Sequence, residues 1–221
     1  MLVQKTRLRW IRNHDRIALW RVGIVLIPRN REVGRMISVV APPREELITG
    51  EELFAMGDIG PCELIDGRVV HMSPTGDEHG TIEFNLGGEL RAFVRQRNLG
   101  RVTGGEVGIT IRRRPDRIRG ADIAFVSADR QAKPVKGFLE VAPNLVVEIM
   151  SPEDRWQDVR EKLADYFSIG VERVWIVEPQ NRKVLVFRSP TDVEEFGESD
   201  TLRGEGILSD FAIGVAELVA E

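Results

Sequence analysis

Between Glu78 and Arg97 the apolar residues Ile82, Leu86, Leu90, Phe93 and Val94 recur at three- and four-residue intervals, the period of one helix face. The spacing predicts a helix over residues 78–97. Downstream the pattern changes to short runs rich in β-branched residues, which predict strands over 101–111, 121–127 and 144–150. A second amphipathic stretch over 153–169 follows, then a strand over 172–178, with Val184 to Arg188 as its expected hairpin partner. Upstream, Glu63 to Met72 is two apolar runs around Asp66-Gly67, the preferred dipeptide of a tight hairpin. Before it, Thr49 with Glu52 three residues on marks the start of a short capped helix after the Pro42-Pro43 break. From Ser189 the pattern is weak until a closing segment, Phe211 to Val219. This order predicts an α/β (α+β) domain: a mixed central sheet flanked by helices, with an N-terminal β-hairpin and a C-terminal β extension.

Residues 1–40 lack that periodicity and carry two of the four tryptophans and many arginines. We expect a basic N-terminal extension that is not part of the core, and one domain over 41–221. A DNA-contacting arm and a true start at Met36 are the competing readings of the extension. Residues 1–35 hold 9 Lys+Arg against 2 Asp+Glu, so within an overall charge of −4 the rest of the chain is distinctly acidic. An acidic body weakens non-specific binding to nucleic acid but leaves room for a locally positive cleft that relies on bound cations. Arg112-Arg113-Arg114 with Arg117 and Arg119 is such a patch, or else a solvated loop between two strands. Cys62 is the only cysteine, which excludes an internal disulfide and a cysteine-rich zinc site. With no signal-peptide pattern and no apolar run of membrane-spanning length, the expected location is cytoplasmic, with no membrane partner.

Two strand-length apolar runs each hold one carboxylate: Asp122 in Arg119-Gly-Ala-Asp-Ile-Ala-Phe-Val, and Glu148 in Asn144-Leu-Val-Val-Glu-Ile-Met. A carboxylate among buried strand residues is costly unless it is paired, hydrogen-bonded or bound to a cation. On the following helix Trp156, Val159, Leu163, Tyr166 and Phe167 share one face, and Lys162 lies on its flank, within roughly 40° of Tyr166 at the helical period. Two hard oxygen ligands beside one ammonium group suit metal-dependent phosphodiester hydrolysis, with Lys162 positioning or activating water. On its own, a lysine at such a flank more often extends its ammonium into water. The chain has no phosphate-binding Walker loop, no Gly-x-Ser-x-Gly elbow and no His-Glu-x-x-His motif.

These residues resemble the Uma-two family of bacterial restriction endonucleases, a branch of the PD-(D/E)XK nuclease superfamily, over roughly Thr49 to Glu178. Glu63-Leu-Ile-Asp-Gly-Arg-Val-Val-His-Met-Ser-Pro74 is similar to the family's opening hairpin, and Glu78-His79 to the start of its first helix. Asp122 matches the first acid of the site, Glu148 the second in Val-Val-Glu-Ile-Met-Ser-Pro, and Lys162 the lysine of a Lys-Leu-x-x-Tyr helix ending at Tyr166. Ala121 replaces the usual proline before the first acid, Cys62 the usual aromatic before the opening Glu-Leu, and Met150 stands where many superfamily members have their lysine. The resemblance implies a restriction-endonuclease-like fold and an Mg2+- or Mn2+-dependent DNA endonuclease, with Asp122 and Glu148 as metal ligands and Lys162 as the catalytic ammonium.

His79, Glu106 and Tyr166 are accessory candidates: His79 for phosphate contact or proton transfer, Glu106 as a neighbour of Asp122, and Tyr166 as a buttress of the helix. Against the functional reading, His79 reads equally as an exposed helix-end residue; Glu83 and Glu89 on the same helix are candidates for an accessory acidic group, but a solvated face is the expected reading of both. The alternative function is a catalytically silent nuclease-like module for DNA binding or assembly as a homodimer. A third reading makes Asp122, Glu148 and Lys162 a purely structural ion-pair network.

Overall fold

Asp66 and Gly67 take φ of 55° and 78°, the left-handed pair that closes a two-residue hairpin between strands β1 (Cys62–Ile65) and β2 (Arg68–His71), as predicted. The computed structural model describes residues 47–131 and 133–220, so the expected extension over 1–40, Met36 included, lies outside the described residues. Helix α1 (Gly50–Ala55) carries the expected capping box: the Thr49 hydroxyl accepts from the Glu52 N–H, and the Glu52 carboxylate accepts from the Thr49 N–H.

Helix α2 (Asp77–Gln96) leads into β3 (Gly100–Arg112), β4 (Arg117–Ser127) and β5 (Leu145–Ile149). Helix α3 (Trp156–Ser168) then crosses to β6 (Arg173–Glu178), which runs parallel to β5, and β7 (Lys183–Ser189) and β8 (Asp192–Phe196) return antiparallel. The sheet order is β2-β1-β4-β5-β6-β7-β8, with β3 pairing along the other edge of β4. A short antiparallel pair, β9 (Thr201–Arg203) and β10 (Ala212–Gly214), and helix α4 (Val215–Leu218) form the C-terminal extension.

The sheet is covered on both faces, which explains the near-continuous apolar runs of β4 and β5. On one face Ile82, Leu86, Leu90 and Val94 of α2 pack with Ile123, Phe125, Val147 and Ile149 and with the C-terminal Leu202, Phe211 and Val215. On the other, Val159, Leu163 and Tyr166 of α3 pack on Ala124, Val146, Val174 and Ile176. Because successive strand side chains alternate faces, Glu148 falls on the α3 side with Val146, while Val147 and Ile149 face α2. That alternation sends the only acid of β5 toward Lys162.

The arginine-rich segment after β3 is neither an open patch nor a plain loop. Arg112 pairs with Asp66; Arg113 with Asp116, Glu51 and Glu140; Arg117 with Asp66 and Asp165; and Arg119 with Glu63 and Asp165. These partners let β4 begin at Arg117, four residues before the predicted start, and leave Arg119 buried at 7% exposure.

Candidate active site

Asp122 and Glu148 stand on neighbouring antiparallel strands, one step beyond the Ile123–Val147 pair of the β4–β5 register. The Asp122 Oδ2 accepts the backbone N–H of Ile149 at 2.6 Å, and its Oδ1 lies 3.1 Å from the Nε2 of His79 at the start of α2. Glu148 is equally engaged. Its Oε2 is 2.7 Å from the Lys162 Nζ, and its Oε1 accepts the Tyr166 hydroxyl at 2.5 Å. Lys162 also donates to the Gly120 carbonyl at 3.2 Å and lies 3.7 Å from Glu63 Oε1. The three residues singled out in the sequence thus converge from β4, β5 and α3.

The amphipathic pattern of α3 accounts for this approach. Val159, Leu163 and Tyr166 are buried, which anchors the helix and aims the flanking Lys162 along the core edge at Glu148. Its side chain is 22% exposed, so the ammonium turns inward rather than reaching for water. A small cleft of about 50 Å3 opens beside it between α3 and the ends of β5 and β6, lined by Glu148, Met150, Asp158 and Lys162.

Electrostatics separates the roles. Burial pushes Glu148 up to about 7 against the pull of Lys162, with the Asp122 charge adding to the rise. Burial alone would lower Lys162, but the charges of Glu148 and Glu63 outweigh it and hold the ammonium protonated. Burial likewise opposes charge on His79, yet the hydrogen bond to Asp122 and its charge raise the imidazole above its ordinary value. Lys162 is therefore a fixed cation, not a proton acceptor.

Two accessory expectations acquire geometry. Glu106 sits at φ 58° in a bulge of β3, where the register slips between Gly104 and Val107, and the bulge folds its carboxylate over Gly120. A Cβ at Gly120 would come within 2.6 Å of Glu106 Oε2, so glycine is needed for this approach. Burial raises the Glu106 carboxyl first, then the Asp122 charge, while Lys162 opposes. His79, expected as either a functional or an exposed helix-end residue, is 9% exposed, with its Nδ1 3.4 Å from the Ser151 hydroxyl.

Two further residues complete the cluster. Glu63 accepts the Gly120 N–H at 3.0 Å and the Arg119 guanidinium at 2.8 Å, locking the β1–β4 junction under Lys162. It carries the same signal as Asp122 and Glu148, an acid within an apolar strand run, which would have found it. Glu83, one helical turn after His79, is not on a solvated face: its Oε1 accepts the Gly105 N–H at 2.7 Å. Ligand atoms of His79, Glu83 and Asp122 all lie within 4.8 Å of one another. Two carboxylates and an imidazole at that spacing fit a divalent cation, with carboxylate oxygen the donor type that Mg2+ and Mn2+ favour. Glu148, the other metal ligand expected from the sequence, stands outside this trio, with its two oxygens on Lys162 and Tyr166.

A family model, Uma2, described as "Putative restriction endonuclease", matches residues 51–216. Among solved structures, a "putative nuclease belonging to DUF820" from Anabaena variabilis aligns with a TM-score of 0.68 at 20% identity, covering 78% of this chain and 98% of that one. No curated protein matches the chain. Among the described residues no helix is long and apolar enough to cross a membrane.

Proposed function

The chain belongs to the Uma2 family, and from that membership we propose that it is a divalent-metal-dependent DNA endonuclease whose site is Asp122, Glu148 and Lys162. The observation that carries this reading is the meeting, around the Gly120 backbone, of a strand acid from β4, a strand acid from β5 and a lysine from α3. Asp122 would hold the cation, with His79 and Glu83 from α2 on one side and Glu148 on the other. Mg2+ or Mn2+ in that position supplies Lewis-acid polarisation of the phosphate.

The chain's own residues supply the rest. Lys162 keeps an ammonium beside the acids, where it orients an attacking water and meets negative charge building on the phosphate. Glu63 and the Gly120 carbonyl fix that ammonium, and Tyr166 fixes the rotamer of Glu148 from beneath. Glu106, with no hydrogen bond among the described residues, is a free acceptor for a water proton next to Asp122. DNA is the proposed partner, and a soluble cytoplasmic setting agrees with the composition.

The test is cleavage of supercoiled, linear and single-stranded DNA with Mg2+ or Mn2+. Asp122→Ala, Glu148→Ala and Lys162→Ala should each lower cleavage by at least about a hundredfold. Cleavage in excess chelator, or cleavage indifferent to all three changes, ends the proposal. A second reading has its own support: both Glu148 oxygens are already satisfied by Lys162 and Tyr166, as in a closed structural network of a silent, dimer-forming module. That reading requires no heat of Mn2+ binding that Asp122→Ala abolishes.

A further inference from the structure

An open groove of about 520 Å3 runs between α2 and β3, lined by Glu83, Phe84, Gly87, Gly88, Arg91 and Arg95 together with Gly104 of the bulge. It begins at Glu83, one of the three ligand atoms clustered around Asp122, and leads away from the site along the helix. At 100° per residue Phe84, Gly88, Arg91 and Arg95 fall on one stripe of α2, about 80–140° round the helix from Glu83, with Gly87 between Glu83 and Arg91. Arg91 lies about 12 Å and Arg95 about 18 Å along the helix axis from Glu83.

Three features of this groove call for an occupant. Phe84 is 81% exposed, a whole aromatic face left to solvent beside the candidate site. Arg91 and Arg95 are exposed and have no acidic partner among the described residues, whereas Arg112, Arg113, Arg117 and Arg119 are all consumed by ion pairs. In an acidic body this makes the α2 line a positive track that reaches the site at Glu83. Gly80 and Gly88 stand within a helix although an added Cβ would meet nothing within 4 Å, and at Gly87 it would make only ordinary contact with Ile123 at 3.6 Å. No internal packing requires them, but a chain lying close against the helix backbone would.

We propose that the α2–β3 groove seats one unpaired strand of DNA continuing from the scissile phosphate, with Arg91 and Arg95 on successive backbone phosphates and Phe84 stacked on a base. The inference rests on the nuclease reading of the adjoining site. A single line of guanidiniums matches one backbone, where a duplex presents two, and an aromatic face offered to solvent takes a base only when that base is out of its pair. The substrate class is accordingly single-stranded DNA or the unpaired segment of a junction or flap.

Fluorescence anisotropy with a labelled single strand and the same sequence as duplex, in chelator, measures this without turnover. Tighter binding of the single strand is expected. Phe84→Ala should weaken it about tenfold, and Arg91→Ala with Arg95→Ala should flatten the slope of log K against log salt by about 1.4. Arg203→Ala, on β9, should leave both unchanged. Wild-type preference for the duplex, no binding of the single strand, or variants that bind as the wild type does would overturn the proposal. So would sedimentation showing a dimer that Phe84→Ala or Arg91→Ala dissociates, which would give the groove to a second copy of the chain. Absent cleavage with every DNA form and metal would end the nuclease reading, and is distinguishable because strand binding is read without metal.

Discussion

Asp116 shows how single side chains hold the frame on which the site is built. Its Oδ2 accepts the Gly50 N–H and the Arg113 guanidinium, each at 2.8 Å, its Oδ1 accepts the Arg114 N–H at 3.0 Å, and its carbonyl takes the Gly67 N–H. One residue thereby ties α1 and the β1–β2 turn to the β3–β4 connection. Burial would raise its carboxyl, but the two backbone donors and Arg113 hold it below the ordinary 3.8. A depressed native value means that the unfolded chain binds the proton more readily, so this contribution is complete above pH 3.8 and is lost as pH falls through the native value. Asp116→Asn should cost about 1–3 kcal/mol at pH 7, and the difference from wild type in urea melts should shrink toward pH 3. At the site, Lys162→Arg tests geometry rather than charge: a planar fork cannot meet Glu148, Gly120 and Glu63 as the ammonium does, so cleavage should stay at least about tenfold down although the charge is kept. A full rescue by arginine would reduce Lys162 to a point charge. Residues of this kind were legible from the sequence when they broke an apolar run, as Asp122 and Glu148 do. Glu83 was not, because an acid on a helix looks the same whether it faces water or, as here, the Gly105 amide of a distant bulge.

At the scale of elements, α2 carries opposing demands. Its face of Ile82, Leu86, Leu90 and Val94 supplies core packing, while Gly80, Gly87 and Gly88 each lower helix propensity relative to alanine by about 0.5–1 kcal/mol. Since a Cβ at Gly80 or Gly88 meets nothing, Gly80→Ala and Gly88→Ala should each raise stability by about that amount, read as a higher melting temperature. The opposite holds at Gly100, at φ 149°, where a Cβ would lie 2.2 Å from the Val126 carbonyl: Gly100→Ala should lose about 1–3 kcal/mol. The helices and central strands were readable because each has one unambiguous period, as in the α2 face or the Asp66-Gly67 turn. The start of β4 was misplaced because Arg117 and Arg119 read as loop, and only the remote Asp66, Asp165 and Glu63 make them strand residues. Strand β8, Asp-Val-Glu-Glu-Phe at the sheet edge, and the β9–β10 pair were foreseen only as a C-terminal β extension without strand bounds, for a related reason. An exposed edge strand has no apolar alternation, and three-residue strands are too short to show a period.

For the molecule as a whole, charge decides how DNA is engaged. The full chain is at −4, yet residues 1–46 contain 10 Lys+Arg and 4 Asp+Glu, so residues 47–221 stand at about −10. Within this acidic body Arg112, Arg113, Arg117 and Arg119 are neutralised by carboxylates, and Arg91 and Arg95, which line the α2 groove, have no acidic partner among the described residues. Binding through so few phosphates should be weak and only shallowly salt-dependent. For duplex DNA two neutralised phosphates give a slope of log K against log salt of about −1.8. A titration of the full chain on duplex DNA over a series of salt concentrations should therefore return a slope no steeper than about −2. A much steeper slope would show that the basic residues ahead of Leu47 bind phosphates themselves. In that event, recognition would be divided between a positively charged arm that finds DNA by charge and an acidic body that depends on divalent cations to bring a phosphate to Asp122.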